Sequence, residues 1–400
     1  MAFLTRSVIC LLVASSSHLV AAFKSYESFR AAFGRGEEGA DKYEERRQIF
    51  ERRKAEMLTH NARNLSWKLA INHMSDHTDA ELNAVLGYKR VGGRWDSESS
   101  FLQEDGNGEI DENISENIDV SKLASDVDWR STLKSSGWVR NQGPCGSCWA
   151  AAATGSIEMQ TERQFGIAKR LSHKNFVDCV PNPRKCGGTG GCHGATGELA
   201  FEYGRLHGVR PEATYDGDVG CSAQDPGAVW LSGFVRLPEN KVHPLLQAVA
   251  TKGGVVVSVD GSPMHSYGSG VFSGCQKDTV VNHAVLATGY GYDPDSGKDY
   301  WLVRNSWTEH WGEKGHIRIE RHMTPRSHCG IDNAPQKGVY CANAPSSVEV
   351  CGMCGIESDS AYPVVSNWGL SAKSTKNLIA RGRRFGFQSR GEMEPSLPSF

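Results

Sequence analysis

The residues able to do chemistry in this chain centre on Cys148. It lies in Asn141–Ala150, NQGPCGSCWA, where a turn-forming, Gly-rich loop runs into an alanine-rich segment, Trp149 to about Arg163, that reads as a helix. The first turn of a helix leaves backbone N–H groups unpaired and carries partial positive charge, so a thiolate there is stabilised. A few residues upstream, Gln142 offers an uncharged amide that can donate to a developing oxyanion. A sulfur nucleophile also needs an imidazole to hold its proton and a group to fix that imidazole. His283, in Val280–Leu286 (VVNHAVL), begins a strand-like run 135 residues beyond Cys148, and Asn305, in Val303–Trp307 (VRNSW), lies 157 beyond it.

These side chains need elements to bring them together. Up to about Ala228 the sequence mixes helical signals with Gly- and Cys-rich loops. Beyond it come strand-like runs at Gly254–Val259, Val281–Gly289, Tyr300–Val303 and His316–Ile319, separated by Gly and Asp turns. A helical half followed by a β half predicts an α+β fold of two subdomains, with the cleft where they meet. Upstream, residues 41–61 form a charged segment with Ile49, Phe50, Met57 and Leu58 spaced for one helix face. Between Trp95 and Asp119 there are nine carboxylates and no Lys, Arg or His, the composition of a linker. Asn64 and Asn113 are the two glycosylation sequons.

Composition narrows the setting. A formal net charge of -2 gives no reason to expect nucleic acid as a partner. Arg6, the apolar run Val8–Ala14 and the small residues before Phe23 predict a secretory signal over residues 1–22; no run is apolar enough to span a bilayer. Removing Cys10 with that signal leaves eleven of twelve cysteines. An odd number in an oxidising compartment implies a free thiol, and if that is Cys148 the other ten can form five bridges. Cys145/Cys148 and Cys351/Cys354 are both C-x-x-C pairs, but their separation is unlike a zinc ribbon and no βαβ context suggests a redox site.

Cys145-Gly146-Ser147-Cys148-Trp149 resembles the C-G-[SA]-C-[WY] loop of papain-like cysteine proteases, in which His and Asn follow about 130–150 residues on. His283 falls inside that interval and Asn305 slightly beyond it. Val127–Arg130 (VDWR) and Trp311–Ile319 (WGEKGHIRI) extend the resemblance. Arg47, Phe50, Met57 and Asn61 fall on the E-R-F-N-I-N pattern of papain-like propeptides, from which Tyr43 and Arg53 depart; Ala70, Asn72, Met74 and Asp76 resemble the G-x-N-x-F-x-D motif.

The resemblance implies roles. Cys148 would be the nucleophile, His283 its imidazolium partner and Asn305 the orienting amide; Trp307 would shield that contact, and Gln142 with the Cys148 N–H would form the oxyanion hole. Asn282 stands where papain has an aspartate, and Ala151 replaces a common Phe. Gly194, Ala195, Ser258, Ala284, Trp307 and Asp359 would line the substrate cleft. The bridges implied are Cys145–Cys192, Cys179–Cys221 and Cys275–Cys354, with Cys186, Cys329, Cys341 and Cys351 left for two more. Two blocks compete for the floor of the P2 pocket, the second subsite on the amino side of the cut: Cys329–Ala334 would supply Ala334 and Cys354–Asp359 an aspartate. The second runs on into Ser360-Ala-Tyr-Pro-Val, the usual last strand, so residues about 325–353 become an insertion and a basic P2 residue becomes acceptable.

The implied protein is a cathepsin L-like endopeptidase precursor: signal 1–22, inhibitory propeptide 23–120, peptidase domain 121–366, and a tail 367–400 containing Arg381–Arg384. It would need no cofactor or metal. Its partners would be protein and peptide substrates, its own propeptide and cystatin-type inhibitors, acting as a monomer in a lysosome, digestive vacuole or extracellular space. Acidification would neutralise the linker and expose the junction near Val120. A catalytically silent homologue would require a broken constellation, which is intact; an exopeptidase would call for a His-containing occluding loop, which is not evident.

Overall fold

A computed structural model describes residues 23, 25–37, 39–88, 118–215, 217, 220–221, 225 and 227–368. The signal, nearly all of the acidic linker with Asn113, and the tail from 369 lie outside the described residues.

The first described unit is a small helical platform. α1 (Tyr26–Ala32) starts at a Ser25/Ser28 capping box, and α2 (Ala40–Asn61) buries Phe50 and Met57. Phe50 packs with Tyr26 and Phe29 in one aromatic cluster. Leu58, expected on the buried face, is 56% exposed, because the stripe that meets the platform is narrower than the apolar spacing suggested. Arg35 forks onto buried Asp76, and Arg46 onto Glu81. β1 (Trp67–Leu69) and α3 (Asp79–Val85), the latter capped by Thr78 and Glu81, complete the unit.

The helical half follows a short strand, β2 (Val127–Asp128). α4 (Cys148–Phe165) is its axis, and every residue from Cys148 to Thr161 is buried. Ala150–Ala153, Gly155 and Ser156 keep that helix thin, so α5 (His173–Cys179), α6 (Gly197–His207) and the sheet can all approach it. The one acidic residue buried in its middle, Glu158, takes a two-pronged ion pair from Arg140 at 2.6 and 2.9 Å.

The β half contains β3 (Val229–Arg236), α7 (Val242–Lys252), β4 (Val255–Val259), β5 (Tyr267–Phe272), β6 (His283–Asp293), β7 (Lys298–Arg304), β8 (His316–Glu320), β9 (Cys329–Asp332), β10 (Val348–Cys351) and β11 (Ser360–Trp368). The main sheet runs β1-β5-β8-β7-β6-β4-β11-β3 with β2 on β6, an open path and no closed barrel among the described residues. Two pairings position the site. β6 lies between β4 and β7, which fixes His283 opposite Val259; β1 of the platform adds to the edge of β5, Trp67 opposite Gly270. β9 and β10 form a separate hairpin in the insertion before β11.

Five disulfides join Cys145–Cys192, Cys179–Cys221, Cys275–Cys354, Cys329–Cys351 and Cys186–Cys341. Cys148 is the free cysteine among the described residues. No helix among those residues is long and apolar enough to cross a membrane.

Candidate active site

Cys148 is the first residue of α4, and His283 the first of β6. Each element therefore delivers its reactive side chain at its own start, on opposite sides of the junction between the halves. The Ala284 N–H reaches Cys148 Sγ at 3.3 Å, which ties the two walls at this point. His283 Nε2 meets Asn305 Oδ1 at 2.8 Å, and that same oxygen accepts the Ser306 N–H at 2.7 Å. An oxygen already accepting from a backbone donor calls for a second donor, so the imidazole proton belongs on Nε2. The lone pair is thereby left on Nδ1, which is buried without a partner among the described residues.

Trp307 stacks on the His283 ring at 4.7 Å between centroids and on His265 at 5.0 Å, keeping water from the imidazole–amide contact. Gln142 is fixed by Ser306 Oγ, which donates to Oε1 at 2.5 Å; its Nε2 donates to the Val85 carbonyl at 2.7 Å and to the Cys145 carbonyl at 2.9 Å. A peptide carbonyl from the platform thus already occupies the Gln142 amide donor.

That carbonyl belongs to Val85–Tyr88, which runs through the cleft directly after α3. A Cβ on Gly87 would collide with Cys148 Sγ, so only glycine brings the chain this close. Gly194 lies against the Gly87 carbonyl on the other side. The Tyr88 N–H donates to the Asn282 carbonyl at 3.1 Å, and Tyr88 itself is 3% exposed. Its hydroxyl meets Ser258 Oγ at 3.0 Å, and Ser258 Oγ donates to Asp359 Oδ2 at 2.5 Å. Asp359 therefore lies beneath the pocket that Tyr88 fills. Ala334, the competing residue, caps a short helical turn in the insertion, where its N–H donates to Asp332. Ala195 is fully buried in the same core as Tyr88.

Burial controls the charges. Loss of water pushes the Cys148 thiol up to about 11, against the backbone N–H groups that favour the thiolate, and holds His283 down to about 4 despite the Asn305 contact. With the segment in place the pair is neutral. Burial and neighbouring Glu198 push the Asp359 carboxyl up to about 8, and Arg236 reaches Glu198 at 3.7 Å. Asn282, in place of an aspartate, accepts from the Gly261 N–H at 2.9 Å and donates to Ser262 Oγ at 2.8 Å.

Cys148, His283, Asn305 and Gln142, which residue types single out, and Trp307, Gly194, Ser258 and Asp359, which the family resemblance implies, line one cleft. Val85–Tyr88, Ser306 and Glu198 were not read from the sequence. A lone glycine between apolar residues just after a helix was the available signal for the first, and it is a weak one.

Residues 123–339 match the papain family cysteine proteases and residues 26–82 the cathepsin propeptide inhibitor domain. A cathepsin L-like protein of Caenorhabditis elegans is 37% identical over 66% of this chain and 75% of its own length; cathepsin S of Bos taurus is 35% identical over 75% and 88%. Among solved structures, recombinant stem bromelain precursor superposes with a TM-score of 0.63 at 29% identity, covering 86% of this chain and 98% of its own. Digestive procathepsin L 3 of Tenebrio molitor gives 0.62 at 27%, covering 84% and 97%. The chain is a member of the papain family of cysteine endopeptidases, with a cathepsin-type inhibitory propeptide ahead of its peptidase domain.

Proposed function

We propose that this chain is the latent precursor of a cathepsin L-type endopeptidase, with an inhibitory propeptide over 23–120, a peptidase domain over 121–366 and a C-terminal tail over 367–400. The observation that carries the reading is the occupation of the cleft by the chain's own Val85–Tyr88, backbone against Cys148 Sγ and carbonyl on Gln142. Once that segment leaves, water returns; the thiol pKa falls and the imidazole pKa rises, and the proton passes from Sγ to His283 Nδ1. The thiolate attacks the scissile carbonyl carbon, and the oxyanion is held by Gln142 Nε2 and the Cys148 N–H. His283 returns its proton to the leaving amine as the C–N bond breaks, and Asn305 keeps the ring in register. Water then hydrolyses the thioester and regenerates the thiol.

The site lies in the secretory pathway, lysosomal, vacuolar or extracellular, with peptides as substrates and cystatin-type proteins as inhibitors. Gly194, Ala195, Ser258, Ala284 and Trp307 contact the substrate, and Asp359 floors the P2 pocket, where it favours a basic side chain alongside bulky apolar ones. Comparing Phe-Arg and Arg-Arg fluorogenic substrates with and without Asp359→Ala tests that preference; an unchanged ratio removes it. For the mechanism, Cys148→Ala is expected to give a secreted, folded precursor with no peptide hydrolysis, a loss of at least about 10⁴-fold. Substantial residual turnover in that variant would refute the nucleophile assignment.

A further inference from the structure

Among the described residues, four of the five disulfides stay within one half of the peptidase domain. Cys145–Cys192 and Cys179–Cys221 staple the helical half, Cys275–Cys354 and Cys329–Cys351 the β half. Cys186–Cys341 crosses between the halves, joining residues 155 apart in sequence. The backbone repeats that connection. The Val339 N–H donates to the Val281 carbonyl at 2.9 Å on the β side, and the Gly187 N–H donates to the Tyr340 carbonyl at 3.2 Å on the helical side. Asn182 secures the helical anchor in turn, accepting the Cys186 N–H at 2.9 Å and donating to its carbonyl at 2.8 Å. Residues 338–341 are therefore a strap, hydrogen-bonded to both walls and covalently bound across them.

Both anchor points border the pocket that Tyr88 fills. Val281 directly precedes Asn282, whose carbonyl accepts the Tyr88 N–H. Gly187 has φ +66, and a Cβ there would come within 2.7 Å of Tyr88 Cδ1, so this wall is bare backbone. Val339 is buried in the same apolar cluster as Tyr88 and Val281, with Tyr340 and Cys341 packed against it. Tyr340 also lies near enough to Asp359 for that carboxylate, after burial and Glu239, to raise its phenol pKa. A glycine-rich wall has no side chains with which to hold its position, and the strap supplies the missing restraint.

We propose that the strap is a specificity element: by fixing Gly187 against Val281, it sets the width of the P2 pocket and so selects substrates with an aromatic, Tyr88-sized residue there over those with a small one. This rests on the reading of the Tyr88 pocket as a substrate pocket. The test uses the activated enzyme, titrated with an epoxide inhibitor, as wild type and as Cys186→Ser/Cys341→Ser. Fluorogenic peptides with Phe or Ala at P2 and Arg before the cut are compared with the p-nitrophenyl ester of N-formylglycine, which carries no P2 side chain.

A well-fitted apolar pocket discriminates by roughly 10- to 200-fold. The double variant is expected to lower the Phe-over-Ala ratio of kcat/KM by about tenfold, chiefly through KM, with ester turnover held within about twofold. A ratio unchanged within about twofold, with the bridge shown absent by mass, would reduce the strap to a structural brace. If the double variant yields no titratable enzyme, Tyr340→Ala decides on the same ratio: a shift of about threefold or more supports the wall, and no shift overturns it. Ester turnover without any P2 preference in wild type would instead sink the pocket reading on which the proposal stands.

Discussion

The two ends of the blocking segment are held by different physics. Over the thiol the contacts are made by backbone, the Val85 carbonyl on Gln142 and Gly87 against Cys148 Sγ and Gly194, while the Val85 and Leu86 side chains are buried in the apolar cluster shared with the β half. At Tyr88 a side chain joins the backbone bond to Asn282, its ring on Gly187 and its hydroxyl on Ser258 above Asp359. Backbone is common to every peptide, so the first end responds to the presence of a chain over the thiol. The second end responds to which residue is present, and selectivity depends on such differences. The propeptide thus sets backbone over the thiol and a fitted side chain in the neighbouring pocket.

Three measurements test this contrast. In the intact precursor at pH 7, a thiol pushed up to about 11 is ionised in roughly one molecule in ten thousand, and it is buried as well, so epoxide labelling of Cys148 should be very slow. Gly87→Val forces a side chain onto Sγ and should raise labelling by on the order of 10³-fold; an unchanged rate would mean that close backbone approach does not hold the segment.

Acid gives the next largest effect. Burial, then His77, Arg35 and His310, hold His73 down to about 4, with Asp76 opposing; burial and then Arg35 lower His77 as well. A histidine whose pKa in the folded platform lies below its ordinary 6.5 binds fewer protons there than in the unfolded chain. The folded platform, and the docking that depends on it, is then most stable above pH 6.5 and weakens as pH falls through 6.5 towards 4. Tryptophan fluorescence of Cys148→Ala precursor should report docking roughly 10- to 100-fold weaker at pH 4 than at pH 7, and His73→Gln should flatten the profile. Docking equally tight at both values would assign retention to the cleft contacts alone. The smallest effect is expected of Tyr88→Phe, which removes one neutral hydrogen bond and should speed labelling about fivefold; no change would make the Tyr88 end a purely apolar contact.

What could be read from the sequence follows the same division. Cys148, Gln142, His283 and Asn305 were legible because a sulfur nucleophile calls for those residue types; Cys148 opens α4 and His283 opens β6, while Gln142 lies in the loop before α4 and Asn305 just past β7. The Cys275–Cys354 pairing was legible because only the Cys354–Asp359 block runs on into β11, which pairs with β4 and β3. The strand-like runs emerged as β4, β6, β7 and β8, with bounds shifted by a few residues. β3 went unread, since one glycine and a serine interrupt its apolar alternation. The backbone contacts of Val85 and Gly87 were silent because such contacts leave no mark on residue choice beyond Gly87 itself. The Cys186–Cys341 pairing was silent because nothing local links positions 155 apart. His73 and His77 carry no signal until burial shifts them, and the acid response expected of the linker lies outside the described residues.

β1 offers a last consequence. Trp67–Leu69 pairs antiparallel with Tyr267–Gly270 of β5, and Trp67 packs edge-on against Phe272 at 4.4 Å. While the propeptide remains, the main sheet therefore ends on a borrowed strand. Its departure leaves that stretch of β5 as a bare rim with unpaired peptide groups, a template to which other extended chains can add. The propeptide that lays Val85–Tyr88 over the thiol thus covers this rim as well.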